Sequence, residues 1–323
     1  MNVIFMGTPD FSVGTLEALL TAGHSITLVV TQPDKPKGRG HSMQYTPVKE
    51  TALAHGLPVY QPLRVGEADC IKYLKNYPAD IIVVVAFGQI LPKGILDMPK
   101  YGCVNVHASL LPKYRGAAPI QWTVINGDEV AGVTTMRMDE GLDTGDMILT
   151  EEVVLDQEET AGTLFDKLSE KGAKLCVKTL EMIQNQTAVF TPQEHEKATH
   201  TTRIKKQMGE IDWKRPAAEI ERLIRGLNPW PSAYTKLDGK TLKIWKADVV
   251  YELEGMKNDT MAAANGMPGN VEGTITKITK DGIYVQTGTK TLALKEIQLE
   301  GKKRMGVSEF LRGYLVKEGI ILT

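Results

Sequence analysis

The run Ile81-Ile82-Val83-Val84-Val85-Ala86 decides the fold class of this 323-residue chain. It is uninterrupted, apolar and mostly β-branched, which is typical of a central strand that helices cover on both faces. Strand-like runs alternate with helix-like segments on either side of it, over residues 1–190. This alternation predicts an α/β domain built on a parallel sheet.

The neighbouring elements can be placed from periodicity and from turn residues. Short apolar runs predict strands, and apolar positions at helical spacing predict helices, some of which glycine or proline would close. The predicted strands are residues 3–6, 26–31, 81–86, 104–107 and 133–138, and the predicted helices are residues 11–22, 46–55 and 163–184.

The character of the chain changes after residue 190. A polar, threonine-rich connection predicts a linker over residues 191–208, and short strands with tight turns predict a second domain over residues 209–323. Asp238-Gly239 and Asp281-Gly282 each lie between strand-like runs, which is a strong hairpin signal. The two hairpins predict a small β-barrel. The remaining predicted elements are helices at 220–227 and 308–315, a strand near 291–297 and a loop at 252–270.

The composition argues against several functional classes. Lys and Arg number 38 and Asp and Glu number 39, so the net charge of −1 carries no overall signature of a nucleic-acid binder. Cys70, Cys103 and Cys176 form no CxxC pair, and we expect reduced thiols rather than a zinc site or disulfides. With no signal-peptide pattern and no apolar run of membrane-spanning length, we expect a cytoplasmic protein without a membrane partner.

The stretch with the clearest chemical content is Asn105-Val106-His107-Ala108-Ser109-Leu110-Leu111-Pro112. Asn105 and His107 are two residues apart at the end of a predicted strand, so their side chains share one face. A carboxamide and an imidazole in the same space can polarise a carbonyl and accept a proton. Ser109 lacks the flanking glycines of a nucleophile elbow, and we expect it to line a ligand site or to fix the loop.

An acidic segment between two predicted strands offers carboxylates to His107. Its spacing does not fit a calcium loop, and a solvated hairpin is the alternative interpretation. The residues alone leave open which of four acids would meet the imidazole: Asp139, Glu140, Asp143 or Asp146.

Two further segments have both a functional and a structural interpretation. Gly7-Thr8-Pro9-Asp10 follows the first strand and could either meet an anion or cap a helix through Thr8 or Asp10. Residues 33–44 form a basic loop with Lys35, Lys37 and Arg39. This loop could contact phosphate, including that of RNA, or simply be solvated, and composition alone favours the solvated loop.

Together these residues resemble a known family. The Asn105–Pro112 stretch, followed by Arg115-Gly116, is similar to the signature of folate-dependent formyltransferases. Residues 5–11, 33–40 and 227–234 narrow the resemblance to those members that act on methionyl-tRNA. His41 and Ser42 follow Gly40 where many relatives carry lysines, so the basic loop is less basic here.

The resemblance implies a fold and a reaction. The fold is a Rossmann-like parallel-sheet formyltransferase domain followed by a small OB-type β-barrel that touches tRNA. The reaction transfers a formyl group from 10-formyltetrahydrofolate to the α-amino group of methionine on initiator tRNA, for translation initiation. No metal is needed, and we expect a monomer.

The resemblance also assigns residues to roles. The catalytic residues would be Asn105, His107 and Asp143. The tRNA-binding residues would be Lys35, Lys37 and Arg39. The folate-binding residues would be Ser109, Leu110, Leu111, Pro112, Phe87, Gly88, Gln89, Ile90, Leu91, Met138 and Asp139.

Three other functions compete with this hypothesis. A formyltransferase that acts on nucleotide-linked amino sugars shares the core motif, but the basic loop and the barrel favour tRNA. Hydrolysis of formyltetrahydrofolate would use water as the acceptor. A non-catalytic RNA-binding protein would not need the set of Asn105, His107 and Asp143.

Overall fold

The computed structural model describes residues 1–37, 42–251 and 271–323. Arg39 and the predicted loop at 252–270 therefore lie outside the described residues. The chain divides into two compact units. The first comprises residues 1–119, 130–155 and 164–202, and the second comprises residues 120–129, 156–163 and 203–323. The predicted domain limits at residues 190 and 208 stay a prediction.

Strands and helices are numbered in chain order over the described residues. The strands of the first unit are β1 (Asn2–Gly7), β2 (Ser25–Val30), β3 (Lys35–Lys37), β4 (Ser42–Gln44), β5 (Val59–Tyr60), β6 (Ile81–Val85), β7 (Cys103–His107), β8 (Arg115–Gly116), β9 (Val130–Arg137), β10 (Met147–Val154) and β11 (His200–Thr201). The strands of the second unit are β12 (Ala233–Leu237), β13 (Lys240–Val250), β14 (Ile275–Thr279), β15 (Gly282–Gln286), β16 (Thr291–Leu299) and β17 (Met305–Gly306). The helices are α1 (Asp10–Thr21), α2 (Pro47–Ala54), α3 (Ala68–Leu74), α4 (Lys93–Leu96), α5 (Pro119–Asn126), α6 (Ala161–Gln184), α7 (Ala217–Gly226) and α8 (Val307–Gly313).

A seven-stranded sheet organises the first unit, in the order β10-β9-β7-β6-β1-β2-β5. The five strands from β7 to β5 pair in parallel, as predicted, and β6 is buried along its whole length. β9 and β10 instead run antiparallel to their neighbours. The sheet is thus mainly parallel, as predicted, with an antiparallel edge that the sequence did not indicate, because strand direction depends on how the chain returns and the local apolar pattern does not encode it.

Helices cover the sheet because its strands are apolar on both faces. α6 lies against β7 and β9 at Gly172, where an added Cβ would come within 3.0 Å of Val106 Cγ1. A core cluster on the sheet includes Ile4, Leu28 and Val84, together with Phe87 and Leu91 just beyond β6. The loop after β6 is therefore anchored by two buried side chains, and it lies at the carboxyl ends of the parallel strands.

The second unit contains an antiparallel sheet in the order β12-β13-β16-β15-β14, with β17 paired to β16. The hairpin predicted at Asp238-Gly239 joins β12 to β13 as expected. At the second hairpin Gly282 is already the first residue of β15, so the turn lies one residue earlier than predicted.

Residues 319–323 link the two end strands of this sheet. Ile275 N donates to Ile320 O at 2.8 Å, and Lys236 N donates to Thr323 O at 2.7 Å. The same short segment thus hydrogen-bonds to β14 on one side and to β12 on the other. This pairing closes the sheet, which confirms the small β-barrel, around a core that includes Leu242, Ile297 and Leu322.

Candidate active site

Asn105 and His107 lie at the carboxyl end of β7, between β6 and β9. Asn105 is aligned with Val84 on one side and Met136 on the other, and His107 is aligned with Thr134. Both side chains are buried, with exposures of 8% and 6%. Their alternate positions on the strand place them on one face, as the sequence predicted.

The imidazole of His107 is held in one tautomer. Its Nε2 lies 2.9 Å from the backbone carbonyl oxygen of Tyr114. A carbonyl oxygen only accepts, so Nε2 carries a hydrogen and donates it. The other nitrogen, Nδ1, faces Asp143 and lies 3.7 Å from its Oδ2.

Asp143 is the acid that the fold brings to His107. Its Oδ2 accepts a hydrogen bond from Gly116 N at 2.8 Å, and its Oδ1 lies 3.4 Å from Asn105 Nδ2. The carboxylate is only 13% exposed. Asn105, His107 and Asp143 therefore form one cluster of buried polar side chains.

Asp139 is one of the four acids that could have met His107, but its carboxylate bonds within its own loop. Its Oδ1 accepts from Gly141 N at 3.0 Å and from Thr144 Oγ1 at 2.6 Å. Both donors belong to the loop between β9 and β10, so the carboxylate shapes that loop. Asp143 is the acid of this loop for which the described residues show an ion-pair distance to His107.

The segment after β6 presents backbone and apolar surface. Phe87 and Leu91 are buried, whereas Gly88 and Ile90 are exposed, Ile90 by 71%. The side chain of Gln89 is occupied with backbone groups, and its Oε1 accepts from Val65 N at 2.8 Å. Met138 packs against the cluster that contains Phe87 and Leu91, which brings the two predicted folate-binding loops together.

The Ser109–Pro112 turn follows β7 directly. Ser109 is buried, and its hydroxyl donates to Lys113 O at 2.6 Å. Two roles were predicted for Ser109, which were to line a ligand site or to fix the loop. The structure shows the second, because the hydroxyl bonds within the loop. Leu110 packs over Gly132, Leu111 is buried, and the Leu111–Pro112 peptide bond is cis.

Within the basic loop, β3 and β4 pair as antiparallel strands. Lys35 and Lys37 belong to β3, and Lys35 is exposed. Asp34, the acid beside them, is engaged by Lys49 at 2.5 Å and by Gln61 at 2.8 Å. Hydrogen bonds from these two side chains lower the pKa of the Asp34 carboxyl. Lys49 therefore neutralises Asp34, and the charge of Lys35 stays available.

Thr8 does not cap α1, and neither does Asp10. The residue before α1 is Pro9, and no side chain makes a cap hydrogen bond there. Thr8 Oγ1 instead donates to Phe87 O at 3.2 Å. The alternative in which Thr8 or Asp10 caps α1 was therefore wrong. Thr8 instead connects the turn after β1 to the loop after β6.

Sequence reasoning missed three groups that shape the site. They are the Tyr114 carbonyl, the Gly116 amide and the side chain of Gln193. Backbone groups carry no residue signature, so no sequence signal could have identified the first two. Gln193 lies in the predicted linker. The polar composition of that linker gave no indication of the contacts that the Gln193 side chain makes.

The described residues contain neither a metal-binding cluster nor a membrane-spanning helix. No cluster of three or more His, Cys, Asp and Glu side chains there could hold a metal ion. Likewise, no helix within the described part of the chain has the length and apolar character to cross a membrane.

Comparison with known families matches both halves of the chain. The family model described as formyl transferase matches residues 1–180. The model described as formyl transferase, C-terminal domain, matches residues 203–315.

Several curated proteins are similar along the whole chain. Methionyl-tRNA formyltransferase of Agathobacter rectalis is 63% identical over 323 residues, which is 100% of both chains. Proteins of the same name from Lachnospira eligens and Clostridioides difficile are 52% and 48% identical over 322 residues each. These alignments cover 100% of this chain and 99% and 100% of the two relatives.

Solved structures share the fold at low sequence identity. An N-formyltransferase from Helicobacter canadensis, in complex with folinic acid and dTDP-3-aminofucose, has a TM-score of 0.64 and 19% identity. It aligns with 90% of this chain and 98% of its own. HypX from Aquifex aeolicus, in complex with tetrahydrofolic acid, has a TM-score of 0.58 and 14% identity, over 98% of this chain and 50% of its own.

Proposed function

Since this chain belongs to the formyl transferase family, we propose that it transfers a formyl group from 10-formyltetrahydrofolate to the α-amino group of methionine carried by initiator tRNA. This reaction prepares methionyl-tRNA for translation initiation. The observation that supports it best is the buried cluster of Asn105, His107 and Asp143 at the end of β7. That cluster has a proton acceptor and an amide donor side by side.

His107 is the proton acceptor in the proposed mechanism. The neutral amine attacks the formyl carbon, a C–N bond forms, and the amine nitrogen becomes positively charged. Because Nε2–H is committed to the Tyr114 carbonyl, Nδ1 takes the proton, directly or through a water. The imidazolium then faces the Asp143 carboxylate at 3.7 Å, which stabilises its charge.

Asn105 stabilises the opposite charge. Attack on the formyl carbon moves an electron pair onto the formyl oxygen. A carboxamide nitrogen has two hydrogens, and one of them faces Asp143 at 3.4 Å. The second can donate to the oxyanion, a contact typically worth about 3 kcal/mol of barrier. The oxyanion's electron pair then re-forms the C=O bond while the bond to the folate nitrogen breaks. That nitrogen leaves with its electron pair and takes up the proton that His107 Nδ1 accepted from the amine, which returns the imidazole to its neutral form.

The folate derivative is proposed to bind between the segment 87–91 and the turn 138–139, beside Ser109–Pro112. The fit rests on the exposed apolar surface at this place. Ile90 and Leu142 are exposed by 71% and 53%, which suits the face of a fused ring. Gly88 has a φ of +83° and no side chain to obstruct a ring.

The tRNA is proposed to contact both parts of the chain. Lys35, Lys37 and Arg39 would meet phosphates near the acceptor end, and residues 209–323 would bind the body of the tRNA as a separate domain. The chemistry would lie within residues 1–190, with 191–208 as the connection. We also propose that the protein acts as a monomer in the cytoplasm and needs no metal.

A direct assay tests this function. Purified protein is incubated with 10-formyltetrahydrofolate and methionyl initiator tRNA, and N-formylmethionine is measured after deacylation. We expect formylation that depends on both substrates. Formylation of a nucleotide-linked amino sugar alone would show a different acceptor, and folate release without any amine would show a hydrolase.

The His107→Ala variant tests the mechanism in the same assay. We expect kcat to fall by about 100- to 10,000-fold, the usual contribution of general acid–base catalysis. KM for folate and for tRNA should change little. Normal turnover of this variant would remove His107 from the mechanism. If the unaltered protein bound RNA but showed no formyl transfer at all, the result would favour a non-catalytic RNA-binding protein.

A further inference from the structure

Residues 193–201, which we call the strap, hold the backbone beside the catalytic cluster. β11 of the strap pairs in parallel with β8. Tyr114 N donates to Thr199 Oγ1 at 2.8 Å, and Arg115 N donates to Thr199 O at 2.8 Å. The strap therefore fixes the turn that presents the Tyr114 carbonyl to His107 Nε2.

Gln193, at the start of the strap, holds the loop that carries Asp143. The side chain is 5% exposed. Its Nε2 donates to Gly145 O at 2.7 Å and to Asp143 O at 3.0 Å. A single buried amide thus connects the strap to the backbone on both sides of Thr144.

Arg115 determines which way this amide points. Its Nε and Nη2 donate to Gln193 Oε1 at 3.0 Å and 2.8 Å, and Arg115 is itself only 3% exposed. A guanidinium group only donates, so the amide oxygen must face it and the NH₂ must face the loop carbonyls. The positive charge also polarises the amide and strengthens the bonds that it donates.

The backbone of Asp143 needs such support. Its φ is +53°, in the left-handed region, which a non-glycine residue adopts only when its surroundings favour it. Held there, the carboxylate reaches both Gly116 N and the vicinity of His107 Nδ1. Without the two hydrogen bonds from Gln193, nothing described at this site would hold the Asp143 and Gly145 carbonyls in place.

We infer that Gln193, oriented by Arg115, is a positioning residue that places the Asp143 carboxylate against His107. The inference deepens the proposed formyl transfer and rests on it for its effect on rate. Gln193 touches neither substrate in this proposal and acts only through Asp143. Gln193 lies between the two family matches, and in this proposal it supports the residues that carry the chemistry and takes no part in the reaction itself.

Kinetics of Gln193→Met provide the first test. Methionine keeps the length and volume of the side chain but removes both amide donors. We expect kcat to fall by about 10- to 100-fold, as for a misplacement of about 1 Å in a reacting group. KM for both substrates should stay the same. Gln184→Met, the same exchange at an exposed residue of α6, is the matched control and should leave kcat unchanged.

A double-mutant cycle separates positioning from a general structural effect. If Gln193 acts through Asp143, adding Gln193→Met to an Asp143→Ala protein should change kcat by less than about twofold, because coupled sites are not additive. An equal fold loss in both backgrounds would overturn the inference. So would an unchanged kcat in the single Gln193→Met variant.

The Gly116 amide gives a readout that needs no activity. In the unaltered protein this N–H donates to Asp143 Oδ2 at 2.8 Å. In Gln193→Met, its NMR resonance should move toward its position in Asp143→Ala and its hydrogen exchange should accelerate, with no change in Gln184→Met. An unchanged Gly116 resonance would overturn the inference. A shifted resonance in a protein without formyl transfer would overturn only the proposed function.

Gln193→Glu provides a second test in case the Gln193→Met protein does not fold. Glutamate keeps an oxygen for Arg115 and adds an ion pair, which favours folding, but it presents an oxygen to the two carbonyls. We expect the same loss of kcat and the same Gly116 shift as in Gln193→Met. A Gln193→Glu protein with normal kcat would contradict the role of the NH₂ group.

Discussion

At the residue scale, the proposed catalytic cluster consists of one amide, one imidazole and one carboxylate. Asn105 and His107 could be predicted because two residues along a strand always share a face. Asp143 could not be chosen from the residues alone, since four acids occupy its loop. The choice depends on the left-handed backbone of Asp143 and on the Gly116 amide, which are properties of the folded loop.

Exchange of the acid tests this assignment. Asp143→Asn removes the charge that stabilises the imidazolium, and we expect kcat to fall by about 100- to 10,000-fold. Glu140→Gln, an exposed acid of the same loop, is the control and should retain full activity. A larger loss of kcat from Asp139→Asn than from Asp143→Asn would show that Asp143 is not the acid that assists His107.

The three cysteines should be unreactive in the folded protein. Cys70, Cys103 and Cys176 are each at most 3% exposed. Burial raises the pKa of the Cys103 and Cys176 thiols to about 12 and also raises that of Cys70. The thiolate is the reactive form, so Cys103 and Cys176 should react only as the pH rises toward 12, and Cys70 should react more slowly than an exposed thiol.

Labelling with an aromatic disulfide reagent at pH 8 measures this directly. We expect almost no reaction in the folded protein and three equivalents after unfolding in guanidinium chloride. Rapid labelling of the folded protein at pH 8 would contradict the burial of these thiols. The result also checks the core beside Asn105, because Cys103 lies two residues before it on β7.

At the element scale, the β3–β4 strand pair is the unit proposed to contact the phosphates of tRNA. Asp34, which directly precedes β3, is held by Lys49 and Gln61, so the start of this strand pair is firmly anchored. Sequence predicted the charge of this loop from composition. It did not predict the pairing of β3 with β4, since Lys35-Pro36-Lys37 and Ser42-Met43-Gln44 are too short to show a pattern of apolar alternation.

Removal of its charge tests the contact with phosphate. The triple variant Lys35→Ala, Lys37→Ala and Arg39→Ala should raise KM for tRNA and leave kcat at saturation nearly unchanged. The slope of log KM against log salt should flatten by about 0.7 to 0.9 per cation that meets a phosphate.

A second triple variant controls for the loss of charge alone. Lys72→Ala, Lys75→Ala and Lys178→Ala removes three exposed cations from α3, the residue after it and α6. Its salt slope should match that of the unaltered protein. Equal flattening in both triple variants would show that the β3–β4 strand pair makes no special contact with phosphate.

At the scale of the whole molecule, each unit depends on pairing between distant segments. In the first unit the β-strands 7, 6, 1, 2 and 5 lie side by side although they are not in chain order. In the second unit residues 319–323 close the sheet. Single-sequence patterns located most strands to within a few residues, but neither the antiparallel edge at β9 nor the closing segment has a local signal.

Leu322→Ala tests the closing segment. Leu322 is 2% exposed within the core of the second unit, and truncation of a buried leucine costs about 2 to 5 kcal/mol. All four tryptophans, at 122, 213, 230 and 245, belong to this unit. Urea unfolding followed by tryptophan fluorescence should therefore show a lower midpoint.

Leu315→Ala is the matched control for this experiment, because Leu315 is 78% exposed. Its unfolding midpoint should differ from that of the unaltered protein by far less. If the two variants were equally stable, Leu322 would not help to close the sheet.

The sequence by itself determined the α/β and barrel character of the two parts, the strand that carries Asn105 and His107, and the basic loop. Each of these follows from local periodicity, turn chemistry or composition, which act over a few residues. Only the tertiary structure decided which acid faces His107, which nitrogen of the imidazole faces Asp143, and how Gln193 supports the Asp143 loop. Those outcomes depend on backbone groups and side chains far apart in the chain, because a hydrogen bond is set by distance and direction in space and not by spacing in sequence.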